Sequence, residues 1–245
     1  MLLSNMHTQP NPATVSGGTT ITGTPGVYNS DAVVGITYPW TLINYGALRP
    51  NGVISFGVDL KAGGEVVNGA NGSVVGSISG GYYGVVIEGA AGTLVNQGTI
   101  SPTNGAGALL TAGGTVTNGA SGATAALISG GYNGIIFEGA PGTVTNFGRI
   151  EERTTTINVQ TSGIVLRQGG TITNNGVISA NNYDLHIGSH YILGGGIGVD
   201  VSGGSATITN SGSIGGGVAG VYIGGTATAT VTNFGTISGR VSGST

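Results

Sequence analysis

Cysteine is absent from this 245-residue chain, and charge is scarce, with six Lys or Arg and nine Asp or Glu. Without cysteine there is no disulfide and no thiolate metal site. The few cations are scattered and the formal net charge is -3, which leaves no basic patch for nucleic acid. No apolar run approaches the roughly 18 residues of a membrane helix, so this segment is not expected to span a bilayer. Met1 to Asn5 lacks the basic start and long apolar core of a secretory signal. Arg240 to Thr245 stops just after a repeat with no cap visible. The chain is therefore expected to be a fragment of a larger protein.

What the chain has is glycine, 52 residues of it, in register with Val, Ile and Leu. That register argues against disorder for most of the sequence, even at this glycine content. One phrase recurs, apolar-x-Asn-x-Gly-x-Ile, as Leu94 to Ile100, Val144 to Ile150 and Val231 to Ile237. Looser copies centre on Asn44, Asn68, Asn118, Asn174 and Asn210. Ile78 to Ile100 aligns without gaps to Ile128 to Ile150, fifty residues later, and that fifty-residue unit spans two turns of a solenoid. Repeats at this spacing mean stacked units, because one unit cannot bury its own apolar face.

A second ladder fixes the register. Glycine-anchored pairs Val58/Leu60, Val85/Ile87, Ala108/Leu110, Ile135/Phe137, Ile164/Leu166, Val199/Val201 and Val221/Ile223 alternate with a variable residue. Period-two alternation in short β-branched runs is the strand signal, and helical spacing is absent. The expected fold is all-β, a parallel β-helix (β-solenoid) of about eight coils, with Gly and Asn at corners needing positive φ. Its core would run about 38 Å at roughly 4.8 Å per coil. Residues 1–18 show no repeat and are expected to form a flexible segment. Residues 19–245 form one solenoid domain with a loop insertion near 180–196. In the phrase, Asn shares parity with Val and Ile, so it should face inward and bond along the axis as an amide ladder.

Phrases such as Thr143 to Gly148 and Thr230 to Gly235 resemble the passenger regions of bacterial autotransporter-type and related surface adhesins, over about Ile21 to Ser238. The resemblance implies a right-handed parallel β-helix, export from a Gram-negative cell and display at its surface. It implies a stalk or adhesive role toward a host-surface or matrix glycan or protein, and it is specific for the fold rather than for any activity.

Candidate chemistry is sparse. The residue four after each origin glycine reads Lys61, Glu88, Thr111, Glu138, Arg167, Ser202 and Gly224. Glu88 and Glu138 are two coils apart, which suits either an inverting glycosidase pair or a solvated ion ladder. Gly195 to Val201 matches only the first part of a calcium-binding nonapeptide, and its Asp200 falls at the variable strand position. The insertion carries Tyr183, Asp184, His186, His190 and Tyr191, a candidate ligand-contact loop. The Asp and His spacing there matches no named metal motif. Thr-x-Thr precedes Asn on five consecutive coils: Thr115 and Thr117, Thr143 and Thr145, Thr171 and Thr173, Thr207 and Thr209, Thr230 and Thr232. Both threonines of each pair should face outward, a face that resembles those of ice-binding β-solenoids. No catalytic triad or phosphate loop is present, and no cofactor is expected. Open solenoid ends could associate end to end.

Overall fold

The structure, a computed structural model, describes residues 1–3, 10–23, 30–70, 76–154, 161–187 and 190–239, and the side chains of 182–194 lie outside this description. The described chain winds as a right-handed parallel β-helix of nine rungs, each contributing one strand to each of three nine-stranded parallel sheets. The first sheet runs from Leu2–Leu3 through Tyr83–Ile87 to Ala219–Ile223. The second runs from Ala13–Val15 through Gly142–Asn146 to Thr228–Asn233. The third runs from Thr20–Ile21 through Arg149–Glu152 to Thr236–Ser238. No α-helix occurs among the described residues.

Alternation does the sorting. Val58/Leu60, Val85/Ile87, Ile135/Phe137 and Val199/Val201 point into the core with no exposed surface. So does the column Val66, Leu94, Val116, Val144, Ile172 and Ile208 of the second sheet. Each such side chain contributes about 1.5–3 kcal/mol on burial. The residues between the first-sheet pairs form a second apolar cluster outside the solenoid lumen. Val86, Leu109, Ile136 and Val165 pack there at 1–8 % exposure, with Phe56 and Tyr83 against them. The sequence ladder treated that position only as variable.

The asparagines face inward as parity requires. Asn44, Asn68, Asn96, Asn118, Asn146, Asn174 and Asn210 are fully buried. Each Nδ2 donates to Oδ1 of the next rung at 2.7–2.9 Å, ending at Asn233. The same Nδ2 also reaches main-chain carbonyls, as from Asn146 to Gly148 and Val177, both at 3.2 Å.

The glycine of the phrase has a different cause from the one expected. Positive φ occurs at the corner between the first and second sheets, as at Gly113 and Gly114 (71° and 131°) and Gly169 and Gly170 (74° and 138°), and directly after Asn at Gly69 and Gly119 (83° and 78°). Gly98 and Gly148 do not have it. A Cβ on either would instead lie 2.0 or 2.2 Å from the previous rung's carbonyl, that of Gly76 or Ala126. Close stacking of backbone on backbone requires glycine there.

Within residues 1–18, two described segments belong to the solenoid. Leu2–Leu3 pairs in parallel with the strand Val33–Gly35, and Ala13–Val15 with the strand Trp40–Asn44. A first rung thus exists without the phrase, because Val15 stands where later rungs carry Asn. The two ends differ. Inward Leu3 and Val15 are 2 % exposed, whereas Ile223 and Val231 of the last rung are 44 % and 39 % exposed.

Candidate functional site

Departures from the repeat gather mostly at one edge, where the third sheet hands over to the first. The connection there is only 131–132 between Gly130 and Asn133, but it spans 180–196 between Ser179 and Ile197. The corner after Asn is two residues at 97–98, 147–148, 175–176 and 211–212, with longer loops at 69–76 and 119–126. Loops carry binding in solenoids because the stacked strands are committed to the core.

The expected insertion is an antiparallel hairpin, Asn182–Ile187 against His190–Gly195, rather than an irregular loop. Its register sets His186 opposite Tyr191 and Asp184 opposite Leu193. The side chains of Tyr183, Asp184, His186, His190 and Tyr191 lie outside the described residues. Among the described residues no group of three His, Asp or Glu could hold a metal.

The base of the hairpin is held by a residue that sequence reading passed over. Glu152, 3 % exposed, accepts hydrogen bonds from the main-chain N–H of Asn181 at 2.9 Å and from that of Thr154. Asn181 Nδ2 donates to Thr154 O at 3.1 Å, and Gly196 N donates to Asn181 O at 2.9 Å. Burial raises the Glu152 carboxyl above its ordinary pKa, with these donors working the other way. Nothing local in Glu151-Glu152 distinguishes the buried carboxylate from its neighbour except strand parity.

The ion ladder on the first sheet has its expected partners. Lys61 Nζ lies 3.0 Å from Glu88, and Arg167 Nε lies 3.7 Å from Glu138. Lys61 also reaches Asp59 at 2.9 Å, and Asp59 is buried. Glu88 and Glu138 sit two rungs apart with Thr111 between them, each beside a cation. Near this ladder, Asp31 is 5 % exposed and accepts from Phe56 N at 2.6 Å. Burial pushes its carboxyl up to about 6. Asp200 lies on the ordinary strand Ile197–Val201, in register with Val165.

The Thr pairs stack in register over five rungs, Thr115 through Thr230 in one rank and Thr117 through Thr232 in the other. The first rank is exposed and the second half-buried except at Thr232. None of the ten hydroxyls hydrogen-bonds within the protein. Earlier rungs carry Ile43, Val67 and Val95 in the second rank and Glu65 in the first.

A groove of about 280 Å³ lies at the variable edge, lined by Pro50–Val53, Ser79–Gly81, Thr103 and Asn104. In comparisons with known protein families, curated proteins and solved structures, none matched this chain.

Proposed function

We propose that this chain is a non-enzymatic, extracellular structural and adhesive segment of a larger bacterial surface or secreted protein. The observation that carries the reading is the division of labour around the rung. Asn and apolar columns repeat without interruption through the core, while the largest departures from the repeat collect at one edge. A rod built this way separates display from stability, since a loop can change without disturbing the column. The expected partner is a host-surface or matrix glycan or protein, met at the edge that carries the hairpin. Saturable binding of residues 1–245 to cells or matrix, weakened on trimming the hairpin, supports the reading. Specific depolymerisation of a polysaccharide, abolished by Glu88→Gln or Glu138→Gln, overturns it in favour of a polysaccharide-active enzyme.

A second reading, ice binding, is favoured by one observation, the two in-register ranks of hydroxyls with no protein partner. A flat array of hydroxyl and methyl groups at regular strand spacing can order water.

A further inference from the structure

We propose that the groove between residues 50–53, 79–81 and 103–104 is a binding site for one ring of a neutral saccharide. The proposal rests on the adhesive reading but places contact on a surface separate from the hairpin.

Three successive rungs supply the walls, and hydrogen bonds between rungs hold them. Ser55, fully buried, donates through Oγ to Gly52 O and accepts from Gly81 N at 3.2 Å. Its carbonyl accepts from Tyr82 N at 2.9 Å. One rung further, Thr103 N donates to Gly80 O at 2.9 Å, and Asn104 Nδ2 donates to Gly81 O at 2.8 Å. Outside the lining, Arg153 ties down the same loop by donating to Pro102 O at 2.8 Å. Glycine is required in the floor, since a Cβ on Gly81 would lie 1.9 Å from Gly52 O and one on Gly80 1.8 Å from Tyr83 O. A groove fixed in this way loses little freedom when a ligand enters.

The lining selects the ligand class. It contains no ionisable side chain, so neither an anion nor a cation finds a partner. The Asn51 amide, the Thr103 hydroxyl and Asn104 Oδ1 make no hydrogen bond within the protein. They offer donors and acceptors together, as a polyhydroxylated ring needs. Pro50 and Val53 supply hydrocarbon surface for the ring's C–H face. Val53 is 78 % exposed and the adjacent Ile54 59 %. An exposed aliphatic pair at the rim of an uncharged polar groove is the composition of a ligand site.

The test is titration of isotopically labelled 1–245 chain with methyl mannoside, methyl galactoside, N-acetylglucosamine and glucuronate. Amide shifts are followed by NMR. The expected result is saturable shifts centred on Gly52, Val53, Gly80, Gly81 and Asn104 with at least one neutral sugar, and weaker ones with glucuronate. Asn51→Ala and Val53→Asp should each weaken that binding roughly tenfold with unchanged circular dichroism. Shortening the hairpin should leave it intact. No shift at these amides with any neutral sugar overturns the groove, as does equal response to glucuronate. Sugar binding that survives both substitutions and vanishes with the hairpin overturns the groove while leaving the adhesive reading standing. Cell or matrix binding of the unmodified chain tests that reading independently.

Discussion

The side-chain amide of Asn118 donates to Oδ1 of Asn146 at 2.9 Å, one rung along the axis, and Asn146 repeats the act toward Asn174 at 2.8 Å. Every interior member of the ladder is thus both donor and acceptor in a buried core, where an unmatched amide is costly.

Asn146→Leu should therefore destabilise the chain by about 3 kcal/mol. It removes the acceptor of Asn118 and the donor to Asn174, Gly148 and Val177. Asn233→Leu should cost well under half as much, because Asn233 is exposed and donates only to Gly235. Urea unfolding of the two variants measures the difference. Equal losses would show that the ladder adds nothing beyond local corner bonds.

Stability should fall as pH rises through the range set by Asp31. Its folded pKa is about 6 against an ordinary aspartate value of 3.8. Between these values the folded state holds a proton that the unfolded state has released, so stability present at pH 4 is lost by about pH 6 to 7. Buried Asp59, Asp200 and Glu152 are raised too and act in the same direction. Thermal melts at pH 5 and pH 7.5 should show the higher midpoint at pH 5. Asp31→Asn should shrink the gap and raise neutral stability by about 1–3 kcal/mol.

Glu152→Ala should loosen the hairpin base without unfolding the rod. The change leaves Asn181 N without its carboxylate acceptor beneath the strand Asn182–Ile187. Hydrogen exchange should quicken across 182–195 and stay slow in Gly142–Asn146. Uniform quickening would mean that Glu152 supports the whole solenoid.

Replacing Thr145 and Thr173 by Tyr breaks the regular face at its centre while Val144 and Ile172 stay in the core. If the ice-binding reading holds, the unmodified chain inhibits ice recrystallisation and this variant does not. Ordinary ice growth with the unmodified chain at high concentration removes that reading.

In the last described rung, Thr228–Asn233 pairs on one side only among the described residues and carries neither charge nor proline. No Asp, Glu, Lys, Arg or Pro occurs from Ser202 through Gly239. Natural edges are blunted by such residues, and Pro12 stands beside the first-rung strand Ala13–Val15. We expect the 245-residue chain to self-associate through Thr228–Asn233 as concentration rises. Thr230→Lys with Thr232→Lys should restore the 23.8 kDa monomer, and Thr14→Lys should not. Analytical ultracentrifugation distinguishes the two.

The architecture was legible because a solenoid writes its periodicity into the chain. Val144, Asn146 and Ile150 share a parity, and that parity carries over to each neighbouring rung. The first rung was invisible for the converse reason, since Val15 takes the Asn position and the phrase never forms. Glu152 was missed because one residue of register separates it from Glu151, which pairs with Arg149 on the outer face, and sequence does not show which carboxylate a later hairpin will need.

The sequence by itself determined the coil, its inward columns and the amide ladder, because each rests on short-range alternation copied rung to rung. Only the tertiary structure decided that Gly98 and Gly148 answer to backbone approach rather than to positive φ. It also decided that Val86, Leu109, Ile136 and Val165 form a second apolar cluster, and that Pro50, Ser79 and Asn104 meet in one groove. Those relations join residues a rung or more apart through loops of unequal length, and no repeat period carries that information along the chain.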